Sequence, residues 1–243
     1  MDNHTLLYED TKKLPEVFTK SDISKMIITL ETSPDYLQNV WGDWMRARDK
    51  ALMMTIYALA LRPKEACKLK FEDFDLRALT VHIHGENNKT GKDRVLPIPE
   101  ELGKYLRDYL NPKKFPREMF WKGSPYLFPS YENNFLSPGR WKHIFREKIL
   151  KPAGLWLPPE EGSTVTKYRS YTLRHTKATE LMNETHDLFL VANVLGHAKL
   201  NSTKVYLHKD KNYIEYMRNR MNSIKQTPKE EFLFEQKKEE THG

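Results

Sequence analysis

Apolar side chains recur every three or four positions along most of the chain, which predicts a mostly helical protein. The first helix is expected to start after Thr19, where a T-x-x-D pattern is typical of a capped helix, and to end near Ser33 and Pro34. The same spacing predicts further helices at 46–59, from Pro63 onward, at 100–109, from Ser137 to about 150, and at 171–181, 188–195 and 202–207. Residues 111–136 are predicted to be loop with a short helix near 117–121.

Two short segments alternate apolar and polar residues instead. The sequence LTVHIH at 79–84 and the sequence RVLPI at 94–98 are separated by a Gly- and Asn-rich connection, which predicts a β-hairpin. The expected fold is therefore mainly α with a small antiparallel β-hairpin or sheet, an α+β arrangement.

The pattern of apolar and polar residues also predicts the domain boundaries of the chain. Residues 1–13 form a polar leader, 14–225 one domain, and 226–243 a tail. The segment 154–170 reads as an insertion that forms a mobile loop. Near the end, an apolar stripe predicts a docking helix that packs on its own domain or on a neighbouring protomer: Ile214, Met217, Met221 and Ile224.

Composition narrows the class of protein. The 243 residues carry a formal charge of +7, which is compatible with a polyanionic partner but is too modest to establish one. No run of about 18 apolar residues and no basic-then-apolar leader is present, so an intracellular protein without a membrane span is expected. Cys67 is the single cysteine and is expected to be a small buried side chain. No Cys or His cluster shows metal-ligand spacing, so no metal site is predicted.

Candidate chemistry concentrates in residues 171–208. The sequence places Tyr171 and Arg174 on one predicted helix, and His197 directly after Gly196, a residue suited to a helix C-terminus. Tyr206 follows His197 by nine positions, on the predicted helix at 202–207. Arg174, His197 and Tyr206 are therefore expected to converge.

The order LRHTKATEL, then LGH, then a Tyr followed by x-His, resembles the carboxyl-terminal signature of tyrosine recombinases of the phage-integrase and Xer type. The resemblance covers about residues 14–210. It implies that Arg174 and His197 bind the scissile phosphate and that Tyr206 is the nucleophile. One position departs from the family, because Tyr171 stands where a His is usual. A phenol with a reference pKa of about 10 donates a hydrogen bond but is a poor base at neutral pH.

The resemblance extends upstream. Arg62 with Glu65 matches the first signature box, although alone this pair would be an ordinary surface ion pair at a helix start. Counting back eight residues from Pro97 selects Lys89 as the general acid, with Lys92 as its competitor. His175 joins Glu65 as a supporting residue, and three basic residues are expected to contact DNA: Lys92, Arg94 and Lys177.

These matches imply a site-specific recombinase that cleaves and rejoins double-stranded DNA through a 3′-phosphotyrosyl intermediate. It would need no metal, no ATP and no other cofactor, and would act as a homo-oligomer, a tetramer on DNA. The alternatives are a non-catalytic DNA-binding protein with the same fold, or an enzyme like a type IB topoisomerase or telomere resolvase. Most family members carry a further amino-terminal DNA-clamping domain. The sequence lacks one, so a minimal recombinase or an excised catalytic domain is expected.

Overall fold

The computed structural model describes residues 15–34, 36, 38–75, 77–87, 91–130, 134–159, 166–209, 216 and 218–219. Its helices are α1 (Lys20–Thr32), α2 (Val40–Ala58), α3 (Pro63–Cys67), α4 (Glu100–Tyr109), α5 (Arg117–Phe120), α6 (Pro138–Ile144), α7 (Ser170–Thr185) and α8 (Leu188–Leu195). A π-helical turn, Phe145–Leu150, continues α6, and two 3₁₀ segments, Leu200–Ser202 and Lys204–Lys209, follow α8.

The first two helices show how local sequence sets the boundaries. Thr19 and Asp22 form the expected capping box of α1, each side chain bonding the other residue's backbone N–H. The second helix begins at Val40, six residues earlier than predicted. Its cap is Asn39, whose side chain accepts hydrogen bonds from the N–H groups of Trp41 and Gly42. The aromatic-rich segment 36–44 obscured this start, because it shows no clear helical period.

A three-stranded antiparallel sheet is formed by β1 (Phe74–Asp75), β2 (Thr80–Ile83) and β3 (Arg94–Pro97) in that order. The predicted hairpin of β2 and β3 is confirmed, with Val81 opposite Leu96. The strand β1 was not predicted, because two residues are too short to show an alternation. One face of the sheet is buried and the other is partly exposed.

The core lies around α2, which packs against α1, α4 and α7. Cys67 is fully buried, as predicted, and Trp141 is fully buried as well. Burial raises the pKa of the Cys67 thiol to about 12, so the thiol stays protonated at neutral pH. Within the residues that the structure describes, no helix combines the length and apolar character that a bilayer crossing requires. The fold class, mainly α with a small antiparallel sheet, is confirmed.

Several predicted features lie outside the described residues. These are the leader at 1–13, the general acid candidate Lys89, the four apolar residues of the docking helix, and the tail. The centre of the 154–170 segment also lies outside them. Its end packs against the core through Tyr168, whose ring centroid lies 4.7 Å from that of Phe18.

Candidate active site

Glu65 is the centre of a group of guanidinium ions. Its carboxylate is 1% exposed and accepts hydrogen bonds from Arg62 Nη1 at 2.9 Å and from the Arg62 N–H at 2.8 Å. Arg94 donates from both terminal nitrogens, at 3.3 and 3.0 Å, and Arg174 Nη1 lies 3.9 Å away. Burial by itself raises the pKa of Glu65, but the bonds from Arg94 and Arg62 outweigh it, so the pKa lies below its usual value.

Arg174 is held by the ends of other elements. It is fully buried on α7 and donates to the carbonyls of Ala60, after α2, and Leu195, at the end of α8, each at 2.8 Å. Burial is the main reason that its pKa falls to about 10, which leaves the guanidinium charged at neutral pH. Since these carbonyls hold two of its nitrogens, the orientation of the Arg174 guanidinium is fixed before any ligand binds.

His197 follows the left-handed Gly196 that ends α8. Its Nε2 lies 3.2 Å from Arg174 Nη2, and its Nδ1 lies 2.8 Å from Thr203 Oγ1. Because a guanidinium only donates, Nε2 must be the acceptor, so Nδ1 carries the proton and donates to Thr203. Burial, followed by the charges of Arg174 and Arg62, lowers the pKa of His197 to about 4. The imidazole is therefore neutral at physiological pH.

Tyr206 lies on the second 3₁₀ segment and is only 2% exposed. Its hydroxyl is 2.8 Å from His175 Nδ1, and its ring packs in a small cluster with Ala178, Met182 and Leu195. Burial raises the pKa of Tyr206 to about 12, although Arg174 lowers it in part. The phenol is thus protonated at neutral pH, with an imidazole nitrogen directly beside the hydroxyl.

Tyr171 lies one helical turn before His175 on α7. Its ring meets that of His175 edge-on with centroids 4.9 Å apart, and the Arg174 guanidinium carbon lies 5.9 Å from its centroid. The phenol therefore borders the group, while His175 contacts Tyr206.

The residues predicted to contact DNA have different surroundings. Arg94 has a side chain that is 10% exposed, with its guanidinium on Glu65 and its Nε donating to the Val194 carbonyl at 3.2 Å. Lys177 lies 3.4 Å from Glu180, which also accepts a bond from Tyr57. Lys92 is exposed. Arg94 therefore forms part of the buried scaffold, whereas Lys92 lies at the surface.

The net charge of Glu65 and the guanidinium groups around it determines which ligands they can bind. Three guanidinium ions, of Arg62, Arg94 and Arg174, surround one carboxylate, that of Glu65, which leaves a local surplus of two positive charges. In a partly buried site such a surplus favours an anion, and planar guanidinium groups match the oxygens of a phosphate. The arrangement can bind a phosphodiester next to a tyrosine hydroxyl.

Sequence reasoning did not find two of the supporting contacts. The contact between Arg94 and Glu65 joins residues 29 positions apart. It forms only when β3 lies against α3. Nothing in the sequence distinguished Thr203 as the acceptor for His197, because Ser202 beside it also carries a hydroxyl.

Comparison with solved structures defines the class of domain. The chain is 27% identical to the XerH site-specific recombinase bound to difH substrate in a pre-cleavage complex, with a TM-score of 0.65, covering 90% of this chain and 57% of that one. The catalytic domain of bacteriophage HP1 integrase shares the fold at 19% identity and a TM-score of 0.56, over 87% of this chain and 99% of that domain. The fold is that of a tyrosine recombinase catalytic domain.

Residues 16–213 match the phage integrase family, and the chain belongs to this family. A tyrosine recombinase XerC of Bacillus licheniformis is 31% identical over 210 residues, which cover 86% of this chain and 58% of that protein. A tyrosine recombinase XerA of Pyrococcus horikoshii is 28% identical over 200 residues, covering 80% and 57% respectively. The chain therefore spans a little over half the length of these relatives.

Proposed function

We propose that this protein is a site-specific recombinase that cleaves and rejoins DNA strands through a 3′-phosphotyrosyl intermediate. The observation that carries the proposal is the convergence of Arg62, Arg174 and His197 with Tyr206, the hydroxyl of which lies against His175. Family membership supports the same reading, since the relatives are tyrosine recombinases. Double-stranded DNA is the proposed substrate.

The guanidinium groups would bind the phosphate. Arg62 has a side chain that is 16% exposed, so its fork remains within reach of a phosphate while Glu65 holds it. Arg174 supplies the second, fully buried fork. Together they would contact the non-bridging oxygens and stabilise the charge that develops on them during phosphoryl transfer. Arg94 would act as a positioning residue that holds Glu65.

The nucleophile needs to lose a proton as it attacks. We assign His175 Nδ1 as the acceptor of the Tyr206 proton, because it is the imidazole nitrogen in contact with that hydroxyl, at 2.8 Å. The Tyr206 oxygen then forms a bond to phosphorus, and the bond from phosphorus to the 5′-oxygen breaks. In this assignment His175 takes the base role that Tyr171, a phenol, cannot fill.

The other two groups complete the reaction. His197 would donate from Nε2 to a phosphate oxygen, which requires a proton on that nitrogen. A bound phosphate favours protonation of His197, because the negative charge of the phosphate raises the pKa of a neighbouring imidazole. Lys89, assigned through the resemblance and lying outside the described residues, would give the 5′-oxygen its proton. Rejoining reverses these steps on a second strand.

Nicked duplexes test the proposal directly. A randomised duplex library with a nick beside the cleavage position loses a short oligonucleotide after attack, so rejoining fails and a covalent complex accumulates. We expect denaturing gels to show this complex, and sequencing of the attached DNA to give a shared site. A binding protein without catalytic activity would bind the same library and give no complex that survives denaturation. A tetramer assembled on DNA is the proposed active form, and mass photometry of the trapped complex would show its size.

A further inference from the structure

The partly exposed face of the sheet carries a second cluster, separate from the guanidinium groups. His82 and His84 are two positions apart on and beside β2, so both point to the same face. The antiparallel register pairs Ile83 with Arg94, which places Asp93 next to His84. One ligand atom from each of His82, His84 and Asp93 lies within 4.8 Å of the other two. The sequence spacing did not indicate this cluster, because Asp93 meets the two histidines only in the folded sheet.

The contacts of this cluster fix the protons on its imidazoles. His82 Nε2 lies 2.8 Å from Asp93 Oδ2, and His84 Nε2 lies 2.7 Å from Asp73 Oδ1. A carboxylate accepts hydrogen bonds, so each Nε2 of a neutral ring carries the proton. The tautomers are thus set by two carboxylates that lie just before β1 (Asp73) and just before β3 (Asp93). A cation held between His82 and Asp93 would take the place of the His82 proton.

The two carboxylates differ in how firmly they are held. The Asp73 side chain is 2% exposed and also accepts the Lys70 N–H at 2.7 Å, so it is a fixed buried partner of His84. The Asp93 side chain is 58% exposed, and one of its oxygens accepts the Gly85 N–H at 2.8 Å. A buried carboxylate behind an imidazole is how proteins orient a metal-binding histidine. Asp93, in contrast, lies where it can serve as a ligand itself.

We propose that His82, His84 and Asp93 bind a divalent transition-metal ion of the Zn²⁺ class, with Asp73 orienting His84. Two imidazoles and one carboxylate are a donor set that suits Zn²⁺ and its neighbours, whereas Mg²⁺ and Ca²⁺ prefer oxygen alone. Ligand atoms around a tetrahedral Zn²⁺ are about 3.3 Å apart, as follows from bonds of about 2.0–2.1 Å. The His82 and Asp93 side chains are exposed enough, at 39% and 58%, to close the remaining distance by rotation.

The cluster faces away from the guanidinium groups. Along β3, side chains alternate between the two faces, so Arg94 points to Glu65 and Asp93 points the other way. An ion here would join β2 to the start of β3 across the solvent side of the sheet. Its role would be to stabilise the sheet that carries Arg94.

The test is a metal titration of the full chain without an affinity tag. Isothermal titration with Zn²⁺ should give one saturable site, and Co²⁺ should give the visible absorption bands of a nitrogen- and oxygen-bound ion. His82→Ala and His84→Ala should each weaken binding more than tenfold, and Asp73→Asn by about 10- to 100-fold. His143→Ala, which removes an exposed histidine of α6, is the matched control and should bind as the parent does.

Thermal unfolding gives a second measurement, because an ion that binds only the folded state raises Tm. The rise in Tm with Zn²⁺ should disappear in a His82→Ala/His84→Ala double variant whose circular dichroism matches that of the parent. Absence of saturable binding by the parent would overturn the proposal and leave two ordinary carboxylate–histidine contacts. Undiminished binding by the folded double variant would overturn it equally, by placing the ion elsewhere.

Discussion

At the scale of single residues, the site depends on which side chain contacts Tyr206, the proposed nucleophile. The family resemblance drew attention to Tyr171, because that position usually holds a His. The structure places a different imidazole, that of His175, on the Tyr206 hydroxyl. The sequence could indicate the residues of the site but not this pairing, since His175 and Tyr206 are 31 positions apart and only α7 and the 3₁₀ segment together bring them into contact.

The assignment of His175 predicts an interchange of roles between two positions of α7. His175→Ala should slow formation of the covalent complex by about 10²- to 10⁴-fold, the usual contribution of a general base. Tyr171→Phe should change it little. Adding Tyr171→His to His175→Ala should restore part of the rate, because an imidazole again lies beside the nucleophile. Single-turnover cleavage of a nicked duplex measures all three, and a Tyr171→Phe defect as large as that of His175→Ala would contradict the assignment.

The lowered pKa of His197 predicts a dependence of stability on pH. Its folded-state pKa of about 4 lies below the usual value of 6.5, so between these values the unfolded chain binds a proton that the folded protein does not. This residue therefore reduces stability as pH falls from about 6.5 to 4 and has no such effect above pH 6.5. Allowing for its partial exposure, the effect is about 1–2 kcal/mol.

Urea unfolding at pH 7 and pH 5 checks this expectation. The parent should lose more stability between these values than His197→Gln, which cannot take up the proton. Equal losses in the two proteins would show that His197 has an ordinary pKa in the folded state.

At the scale of elements, the ends of helices and strands hold the site together. The helix α8 ends at Gly196, whose φ is +62° and whose missing Cβ would lie 2.9 Å from Arg94 Nη1. The sequence predicted this helix end from the glycine alone. It could not show that Arg94, on β3, occupies the space beside it, because that contact joins elements about 100 residues apart.

Two glycines with a similar positive φ separate the cost of that φ from the cost of displacing Arg94. Gly196→Ala should cost about 2–3 kcal/mol of stability, the sum of a left-handed alanine and a displaced Arg94. Gly154→Ala is the matched control, since its φ is +68° and no atom lies within 4 Å of the added Cβ. It should cost only about 1 kcal/mol. Chemical denaturation of both variants tests this, and equal losses would mean that Arg94 gives way freely.

The bond between β3 and α3 gives a further prediction for the elements. Arg94→Met removes one partner of a carboxylate that is 1% exposed, while Arg62 stays in place, and should destabilise the protein by about 2–4 kcal/mol. Arg107→Met, at an exposed position of α4, should change stability by less than about 0.5 kcal/mol. If the two variants unfold at the same urea concentration, the Glu65 group does not stabilise the fold.

At the scale of the whole molecule, the hydrophobic periodicity was sufficient for the class of fold. Most helices and the β2–β3 hairpin followed from spacing, because each is amphipathic and buries one face. The first and last residues of the helices and strands were harder to predict. The beginning of α2 lay within an aromatic run, and β1 has only two residues. The domain division, the docking helix and the roles of Lys89 and Lys92 stay predictions.

Binding to DNA should depend strongly on salt concentration, because each phosphate contact releases condensed counterions. Each contact contributes about 0.9 to the slope of log Kd against log salt concentration. Lys92→Ala should lower that slope by about one contact. Arg94→Met should leave it unchanged, since this guanidinium is bound to Glu65. Fluorescence anisotropy with a duplex at several salt concentrations measures both. A reduced slope in Arg94→Met alone would reverse the two roles.

The central claim is that Tyr206 attacks a DNA phosphate, and mass spectrometry of the trapped complex tests it most directly. After nuclease and protease digestion, the account predicts a nucleotide attached to the peptide that contains Tyr206, and no covalent complex from Tyr206→Phe. That variant should keep the parent's circular dichroism and DNA affinity, because only the hydroxyl is lost. A nucleotide on Tyr213 or Tyr216, or a complex that persists in Tyr206→Phe, would contradict the account.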